Sequence, residues 1–395
     1  MGIYPLILVN SSNDDTSEYE KKTILTIYAQ YRDIPALKEN MAERKARRYF
    51  TREKGQNMTQ NNLPTGSRST VRKSKKRHRV LRYTLLILAI LIIGGVGGGA
   101  YELHKLNPKN HFTHLKVIGS PSVAKYKEKA GVFNVLLIGS DARKGNSASH
   151  TDSMVLIHAN MNNHTYNMLS IPRDTRVYMS GYGYTKLTSV QYISQVNHGT
   201  RQGIIDAVKS ISHLTGVPIN YYAETNYWGL QDMVDAIGGI DMNLPFNVTL
   251  THPWYSENKG KTFTAGTHSL NGKMVTELVH ERYSLPGTDY GRQQLQQAAL
   301  IGIAKKMVQP ANITKLPALS GSVSKFLVAT NMSKEDMVSI GLGAKNDFHP
   351  EQQIKYRQVK GRGATMYDDI LKANNSQIVL DPAELKDTIK KYFTN

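Results

Sequence analysis

The stretch Phe133-Asn-Val-Leu-Leu-Ile-Gly139 is a short apolar run that ends at a glycine and is followed by Ser-Asp-Ala-Arg143. An apolar run of this length next to turn-forming residues is typical of a strand that is buried on both faces of a sheet. Two more apolar runs, 154–159 and 166–171, are joined by a turn containing Asn162-Asn163, and this spacing predicts a β-hairpin. Residues 133–171 therefore predict the first three strands of a folded domain.

Helical and strand patterns alternate downstream of these strands. Apolar residues at helical spacing predict a helix over 203–214 and another over 227–237, which Asn226 can cap and Gly238 can end. The same patterns predict further helices over 270–283, 292–308, 334–340 and 382–393, and strands over 221–224, 240–244 and 353–359. Interleaved helices and strands predict an α/β fold in which helices cover a mixed central sheet.

Residues 83–101 are an uncharged stretch of mostly Leu, Ile, Gly and Ala. As a helix, this stretch would span roughly 28 Å, which is close to the thickness of the hydrocarbon core of a bilayer. Seven Lys and Arg residues lie between positions 72 and 82, directly before it. The positive-inside rule therefore predicts a single transmembrane helix with a cytoplasmic N-terminus and an extracytoplasmic domain from residue 102 onward. A cleaved signal peptide is the alternative.

These patterns divide the chain into four parts. Residues 1–82 are a basic cytoplasmic tail, 83–101 the transmembrane helix, 102–130 a polar connector and 131–395 the extracytoplasmic domain. Met58 is an alternative start of translation, which would remove residues 1–57. Gly94 and Gly98 fit the small-xxx-small pattern of pairing membrane helices, so the chain could form a homodimer.

The net charge of +19 is concentrated near the N-terminus, because residues 1–82 hold 18 Lys and Arg against 8 Asp and Glu. A basic excess in a tail that precedes a membrane helix argues against a nucleic-acid-binding domain, and we expect no nucleic acid partner. The chain contains no Cys. Disulfides, thiolate metal sites and cysteine nucleophiles are therefore excluded.

Two aspartates flank the first turn of the predicted domain. Asp141 follows the first strand and Asp152 begins the second. If these strands are neighbours, both carboxylates could reach one divalent cation, and carboxylates together with a substrate phosphate are a typical environment for magnesium. Two ordinary loop or capping aspartates are the alternative.

Several arginines stand at the ends of predicted elements. Arg173 follows Pro172, which disfavours helix for the residue before it and helps to end the third strand. Arg282 and Arg292 follow later, the second beside Asp289. Guanidinium groups can each bond two oxygens and stay charged, so these residues could clamp a phosphate. Asp289 could orient an arginine or accept the proton of an incoming hydroxyl.

The order and spacing of these motifs resemble those of the LytR–CpsA–Psr family of cell-wall proteins over about residues 133–308. Each motif is weak alone, but their order downstream of one membrane helix makes the resemblance specific. The motifs are Leu137-Ile-Gly-Ser-Asp141-Ala-Arg143, Thr151-Asp152-Ser-Met154, Met168-Leu-Ser-Ile-Pro-Arg173-Asp174-Thr175, the stretch from Leu230 to Asp241, Leu270-Asn-Gly272, and Asp289-Tyr-Gly-Arg292 with Gln296-Gln297.

The resemblance implies an αβα-type domain with a deep apolar pocket for a polyprenyl chain. It also implies that arginines at the pocket mouth hold a pyrophosphate and that acidic residues hold Mg²⁺ (or Mn²⁺). The implied reaction moves a phosphorylated glycopolymer, of teichoic acid or capsule type, from its undecaprenyl-pyrophosphate carrier onto peptidoglycan at the membrane of a Gram-positive envelope. Release of phosphate by a pyrophosphatase side activity is a variant of this reaction.

The resemblance also implies roles for individual residues of this chain. Catalytic roles fall on Asp141, Asp152, Arg173, Arg282, Asp289 and Arg292, with the metal at Asp141 and Asp152. Substrate-binding roles fall on Arg143, His150, Asp174, Lys186, His280 and Gln296.

Three positions depart from the family pattern, since His150, His280 and Leu295 stand where the family usually has Arg. A neutral His donates one hydrogen bond and Leu donates none, so we expect a weaker phosphate clamp. Two alternative functions stay open for this reason. One is a non-catalytic binder of polyprenyl phosphates, and the other is an attenuator or regulator of transcription of envelope genes. The regulator is disfavoured because the predicted cytoplasmic part has no recognisable helix-turn-helix.

Apolar helix faces could line the lipid pocket or belong to an ordinary core. The sequence does not separate these two possibilities for any one residue. The candidates are Ile204, Val208, Ile211, Leu214, Leu230, Val234, Leu300, Ile301 and Ile303.

Overall fold

The computed structural model describes residues 104–118, 128–315, 318–319, 322–344 and 348–394. The predicted cytoplasmic tail and the predicted transmembrane helix at 83–101 lie outside these residues. Within the described ranges, no helix combines the length and the apolar character that crossing a bilayer requires.

The strands of the described part are β1 (Val132–Ser140), β2 (Thr151–Asn160), β3 (Thr165–Ser170), β4 (Arg176–Met179), β5 (Gly183–Lys186), β6 (Tyr221–Thr225), β7 (Ile240–Leu244), β8 (Val248–Thr249), β9 (Thr262–Phe263), β10 (Gly266–Leu270), β11 (Ala329–Thr330), β12 (Ile354–Gln358), β13 (Gly361–Asp368) and β14 (Ala373–Leu380). The α-helices are α1 (Pro108–His111), α2 (Leu187–His198), α3 (Thr200–Thr215), α4 (Tyr227–Ala236), α5 (Gly272–His280), α6 (Asp289–Met307), α7 (Pro310–Ile313), α8 (Lys334–Ala344), α9 (Pro350–Gln353) and α10 (Pro382–Tyr392).

A six-stranded sheet lies at the centre, in the order β11-β6-β1-β2-β3-β12. The pairs β1–β6 and β3–β12 are parallel, whereas β1–β2, β2–β3 and β6–β11 are antiparallel. The predicted α/β fold with a mixed sheet and helices is therefore confirmed, and so is the predicted hairpin of β2 and β3.

Strand β1 is buried on both faces, as its apolar run predicts. Leu136 and Ile138 point into a core that also holds residues of α2 and α3. Phe133 and Val135 alternate with them and pack into another cluster on the opposite face of the sheet. Burying a large aliphatic side chain contributes about 1.5–3 kcal/mol, so this strand anchors both layers.

A second core lies beside the sheet and is built by α4, α5, α6 and the two-stranded sheet of β7 and β10. Val234, Met242, Leu278 and Leu295 are all fully buried in it. The predicted strand over 240–244 therefore exists but belongs to this smaller sheet.

The helix predicted over 270–283 is shorter than its apolar pattern indicates. Leu270 ends β10, and Asn271 caps the helix by accepting a hydrogen bond from the Met274 amide at 3.0 Å. The helix ends at His280, since Glu281 is extended. The predicted helix is too long because the apolar pattern includes Leu270, which ends a strand, and Asn271, whose side chain caps the helix and so marks its start.

Helix α2 and the hairpins β4–β5 and β13–β14 are not predicted from the sequence. Helix α2 is rich in β-branched and aromatic residues and has no side-chain cap at its start, so its local preference for helix is weak. Tertiary packing supplies the missing stability. At Gly203 of α3, an added Cβ would lie 2.7 Å from the Gln191 carbonyl oxygen, so the glycine permits a close approach of the two helices.

Part of the predicted connector packs against the domain. Phe112 is fully buried, and its ring centroid lies 4.3 Å from that of Phe133 and 6.1 Å from that of Tyr221. Ile118 forms an isolated antiparallel bridge with Ile219. Residues of the 104–118 segment thus pack against one face of the sheet at β1 and β6.

Candidate active site

An apolar cavity of about 390 Å³ lies between the central sheet and helices α4 and α6. Leu137, Val155 and Ala223 line it from β1, β2 and β6, and Leu230, Leu300 and Ile303 line it from the helices. Of the apolar residues proposed from the sequence, these last three face the cavity. Ile204, Val208 and Ile211 instead pack in the core on the other face of the sheet.

A smaller polar pocket of about 150 Å³ adjoins the apolar cavity, because Asp152 and Tyr227 line both spaces. The other residues that line the polar pocket are Arg173, His252, His280, Glu281, Arg282, Tyr283 and Arg292. Five of the predicted site residues, Asp152, Arg173, His280, Arg282 and Arg292, therefore meet in one place.

Asp152 owes its position to a β-bulge. Gly139 is paired with Ser153 and Ser140 with Thr151, so Asp152 is the extra residue of β2. A bulge redirects a side chain out of the regular alternation of a strand. The neighbouring residues Asp152 and Ser153 can in this way both face the cavity.

Arg173 forms an ion pair with Asp152, and both side chains are mostly buried. Burial alone would lower the pKa of Arg173, but the charges of Asp152, Asp174 and Asp289 raise it on balance. The guanidinium group therefore stays charged. Its Nε atom is buried and has no hydrogen-bond partner among the described residues.

Arg292 lies in the first turn of α6 with only 5% of its side chain exposed. Its Nη2 atom donates to Asp289 Oδ1 at 2.6 Å and to the Asp152 carbonyl oxygen at 3.0 Å. The Nε atom is again buried without a partner in the described part of the chain. A buried donor left unpaired costs about 1–3 kcal/mol, so both arginines are suited to receive an acceptor from a ligand.

The turn before Asp289 is strained. Thr288 has a φ of 48° and a ψ of −96°, a backbone conformation that residues other than glycine rarely adopt. Strain of this kind persists where the surrounding structure fixes it, often beside a functional site. Here it sets the start of α6, and with it the Asp289–Arg292 pair.

His280 and Arg282 complete the polar pocket. Burial lowers the pKa of His280, and the charge of Arg292 lowers it further, so the imidazole is neutral near pH 7. Its Nδ1 atom is buried without a hydrogen-bond partner among the described residues. No described acidic side chain forms an ion pair with Arg282, which leaves its charge for a ligand.

Asp141 lies at the end of β1, next to His150. Its Oδ1 atom accepts a hydrogen bond from the His150 amide at 2.6 Å, and its Oδ2 atom lies 3.4 Å from His150 Nδ1. The His150 ring stacks on Tyr192 with a centroid distance of 4.5 Å. Ser140, the neighbour of Asp141, is paired with Thr151, the neighbour of Asp152, so the two predicted metal ligands lie at the same end of the neighbouring strands β1 and β2, with Asp141 directly after β1.

The remaining predicted residues lie around this centre. Lys186 Nζ is 3.0 Å from Asp174 Oδ1, and Gln296 lines the apolar cavity, where its Oε1 accepts from Ser153 Oγ at 2.8 Å. Arg143 lies over the ring of Trp254 at 5.5 Å. Leu295 is fully buried in the second core and is not among the residues that line the polar pocket.

Four residues of the polar pocket are missing from the sequence-based prediction: Tyr227, His252, Glu281 and Tyr283. A usable signal exists for Tyr227, which follows the cap Asn226 at the junction of β6 and α4. Burial raises the pKa of Tyr227 to about 12, so its hydroxyl remains a hydrogen-bond donor. Glu281 is held by the turn that it caps, since its Oε1 accepts from the Tyr283 amide at 2.8 Å.

Comparison with known proteins gives a consistent result. The model of the LytR_cpsA_psr family matches residues 100–391. A relative from Bacillus cereus, polyisoprenyl-teichoic acid--peptidoglycan teichoic acid transferase TagU, is 30% identical over 302 residues, which are 74% of this chain and 91% of the relative.

Solved structures have the same fold. The crystal structure of Bacillus subtilis TagV aligns with a TM-score of 0.53 and 22% identity, over 66% of this chain and 96% of TagV. A structure of TagT bound to LI-WTA aligns with a TM-score of 0.50 and 25% identity, over 66% of this chain and 89% of TagT.

Proposed function

Because the chain belongs to the LytR–CpsA–Psr family, we propose that it is a phosphotransferase that attaches a glycopolymer to peptidoglycan from a polyprenyl-pyrophosphate carrier. One observation carries this proposal: an apolar cavity and an arginine-lined polar pocket adjoin at Asp152 and Tyr227. A lipid pyrophosphate matches this arrangement, because its apolar chain is joined directly to a charged diphosphate. The name of the Bacillus cereus relative, a teichoic acid transferase acting between a polyisoprenyl carrier and peptidoglycan, supports the same reaction.

The apolar cavity would hold the first isoprene units of the carrier. Most of its lining side chains are apolar, and they include Met233, Met307 and Met337. Methionine is flexible and adapts to irregular apolar shapes. Each buried CH₂ group of the lipid contributes about 0.8 kcal/mol, so the cavity favours a long hydrocarbon chain over a soluble phosphate.

The polar pocket would hold the two phosphates. Arg173 and Arg292 each keep a buried Nε–H group without a partner in the described residues, and Arg282 adds a third guanidinium group. Planar guanidinium groups can bond two phosphate oxygens each. Charge on the non-bridging oxygens of the reacting phosphoryl group would be stabilised by these fixed donors.

In the proposed reaction, a peptidoglycan hydroxyl oxygen attacks the phosphorus that carries the glycan. The bond from that phosphorus to the bridging oxygen breaks, polyprenyl phosphate leaves with the electron pair, and a phosphodiester forms. The proton of the hydroxyl passes to a carboxylate or to the leaving phosphate. Asp289 is already bonded to Arg292 and to Gln293 Nε2 at 3.1 Å, which favours an orienting role for Asp289.

Asp141 and Asp152 are suited to hold Mg²⁺ (or Mn²⁺), since one hard carboxylate ligand directly follows β1 and the other lies near the start of the neighbouring strand β2. No described set of three or more Asp, Glu, His or Cys residues is arranged around a metal position. Magnesium commonly takes only one or two carboxylates and completes its shell with water and phosphate oxygens. Bound there, the ion would neutralise negative charge on the phosphates.

The proposal includes anchoring by the predicted transmembrane helix at 83–101, which would keep the domain at the surface where a polyprenyl carrier resides. An extracytoplasmic position follows from the basic residues before that helix. Lys and Arg between 72 and 82 would then remain on the cytoplasmic side.

The proposed function can be tested with the full chain in detergent micelles. The protein is mixed with a polyprenyl-pyrophosphate disaccharide, peptidoglycan oligomers and MgCl₂, alongside Asp152→Asn and the control Tyr178→Ala, which changes an exposed residue of β4. We expect labelled peptidoglycan from the wild type and the control, and at least a hundredfold less from Asp152→Asn. Phosphate release without labelled peptidoglycan would indicate a pyrophosphatase. Tight binding with neither product would indicate a non-catalytic binder.

A further inference from the structure

The chain contains two tryptophans: Trp254 contacts Tyr227 and His280 of the polar pocket, and Trp228 contacts Trp254. Trp228 is 45% exposed and Trp254 is 40% exposed. Together with Tyr227 and His280 they form a cluster that we call the aromatic rim. Tyr227 and His280 also line the polar pocket, so the rim is continuous with the proposed phosphate site.

The four rings of the aromatic rim are in mutual contact around Trp254. The Trp254 centroid lies 5.3 Å from that of Tyr227, 5.9 Å from that of Trp228 and 5.1 Å from that of His280. The Trp254 plane is inclined at 39° to 57° to the other three rings, and the Tyr227 and His280 planes are inclined at 88° to each other. The rings therefore meet at an angle, and the two tryptophans keep part of their surface exposed.

The loop that carries Trp254 is fixed by a buried carboxylate. Glu277 of α5 is 1% exposed, and it accepts hydrogen bonds from the Trp254 amide at 2.8 Å, the Tyr255 amide at 3.0 Å and Asn258 Nδ2 at 2.9 Å. One helical turn later, Glu281 accepts from the Thr251 amide at 2.6 Å. Two buried charges used to hold one exposed loop indicate that the position of Trp254 matters.

The groups around the rim are polar. The Arg143 guanidinium lies 5.5 Å from the centre of the Trp254 ring, and the Tyr255 hydroxyl donates to Gln231 Oε1 at 3.3 Å. An aromatic face bordered by cations and hydrogen-bonding groups suits a ligand that has both a C–H face and hydroxyl groups. A pyranose ring has these two properties.

We propose that the aromatic rim is a stacking subsite for the pyranose ring that is attached to the phosphate in the polar pocket. The proposal rests on the proposed function, because the position of the phosphate comes from it. The rim would hold the first sugar of the glycan against Trp254, and the arginines would hold the phosphate next to it. The rim therefore distinguishes a sugar-bearing carrier from a bare lipid pyrophosphate.

The alternative to a sugar is the surface of a bilayer, where exposed tryptophans are also common. The geometry of the rim argues for the sugar. Both tryptophans are more than half covered, whereas a side chain that enters a headgroup layer has to project from its surface. The rim is also joined to the polar pocket rather than separated from it, since Tyr227 and His280 belong to both.

The test uses the full chain in detergent micelles and its tryptophan fluorescence, which comes only from the rim. Two probes are compared: a short-chain polyprenyl pyrophosphate, and the same lipid with one N-acetylglucosamine on its terminal phosphate. We expect the sugar-bearing lipid to bind about tenfold more tightly to the wild type, which corresponds to one well-stacked ring. Trp254→Ala, followed through the fluorescence of Trp228, should lose most of this preference while its Kd for the bare lipid stays unchanged.

Control variants separate stacking from a general loss of structure. Trp254→Phe keeps an aromatic face and should retain part of the preference. Tyr178→Ala removes a ring that is 60% exposed on the β4–β5 hairpin, where its contact is Tyr184, and should behave as the wild type. A parallel loss of affinity for both probes in Trp254→Ala would mean a structural role and would overturn the proposal.

Other results of the same binding experiment would separate a failure of the rim proposal from a failure of the proposed function. Equal affinity of the wild type for both probes would overturn the rim subsite and leave the proposed function intact, whereas no binding of either probe would overturn the proposed function itself. A third probe is an unphosphorylated N-acetylglucosamine tetramer. If this tetramer binds in a Trp254-dependent way and the two lipids bind equally, the aromatic rim binds the acceptor glycan, and the proposal is overturned. Quenching of the rim by brominated lipids in nanodiscs, again without a sugar preference, would assign it to the bilayer.

Discussion

Arg292 is the residue on which the proposed phosphate clamp depends most. Its guanidinium is buried, and it is joined to both Asp289 and the backbone of Asp152. We expect Arg292→Lys to reduce kcat by about 10²- to 10³-fold, because a lysine ammonium has no planar fork that could hold Asp289, the Asp152 carbonyl and a phosphate in fixed directions at once. The matched control is Arg362→Lys on the exposed face of β13. The test is the rate of glycan transfer, measured with labelled glycan. An unchanged rate in Arg292→Lys would mean that Arg292 does not bind the phosphate.

A buried histidine, His158, and a half-buried one, His280, predict how stability depends on pH. Burial lowers the pKa of His158 and of His280 below the ordinary 6.5, so the unfolded chain binds their protons more readily than the folded chain does. Stability is therefore lost as the pH falls below about 6.5, with a slope of at most about 1.4 kcal/mol per pH unit for each histidine.

Replacing His280 tests this pH dependence. The free energy of unfolding, measured in urea at pH 7.5 and 5.5, should fall less in His280→Gln than in the wild type. His158→Gln should show the same reduced slope, although it also loses the contact of His158 Nδ1 with Asn134 Oδ1 at 2.8 Å. Identical slopes in all three proteins would mean that neither histidine carries the effect.

At the residue scale, the sequence is informative about charge and less so about aromatic and apolar residues. Asp152, Arg173 and Arg292 are identifiable because they stand at the starts or ends of predicted elements in a specific order. Trp254 has no such signal, because its loop is positioned by hydrogen bonds to Glu277 of α5, whereas Tyr227 is marked only by its place after the helix cap Asn226. Leu295 occupies a motif position, but its side chain lies in the second core, so its identity is not evidence for a weaker clamp.

Helix α5 combines a core face with a face that holds the loop of Trp254. Glu277→Gln keeps the shape of the side chain but replaces one acceptor oxygen by a donor, which would oppose the amides of Trp254 and Tyr255. We expect a loss of stability of about 1–3 kcal/mol and faster amide hydrogen exchange confined to residues 251–258.

Glu257→Gln is the matched control, because Glu257 belongs to the same loop but pairs with Lys273 at 2.6 Å on the surface. A surface pair contributes little, so this variant should keep the wild-type exchange pattern. Exchange that rises throughout the domain in Glu277→Gln, rather than in the loop, would contradict the role assigned to this residue.

At the element scale, predictions succeed where local preference and tertiary packing agree. Strands β1, β2 and β3 and helix α3 lie close to their predicted positions, because each has a clear apolar period. Helix α2 has the composition of a strand, and its helical state depends on α3. The bulge at Asp152 cannot be predicted from the sequence, since it is defined by the register between two strands.

A larger side chain should have different effects in the apolar cavity and in the closed core: in the cavity it should weaken lipid binding, and in the core it should lower stability. Leu300 lines the cavity and Ile211 is fully buried in the first core. We expect Leu300→Phe to weaken binding of polyprenyl pyrophosphate at least tenfold with little change in Tm. Ile211→Phe should destabilise the fold by about 1–3 kcal/mol, because a closed core has no room for a larger side chain.

Isothermal titration of the lipid and thermal unfolding of both variants test this contrast. A large fall in Tm for Leu300→Phe would mean that the cavity is too tight to admit a lipid. The sequence could not distinguish these two residues beforehand, since both lie on apolar helix faces of the same kind. A cavity is a property of the whole molecule, because it depends on how far the helices stand from the sheet.

The order of the central sheet has a consequence for synthesis. Its two outer strands, β11 and β12, come from residues 329–330 and 354–358, late in the chain, while the four inner strands end at residue 225. A ribosome therefore releases the inner strands well before their outer partners exist. During that interval the exposed edges of β6 and β3 could pair with other nascent chains. Products truncated before residue 329 are expected to aggregate, because the last sixth of the polypeptide supplies the strands that cover both edges of the sheet.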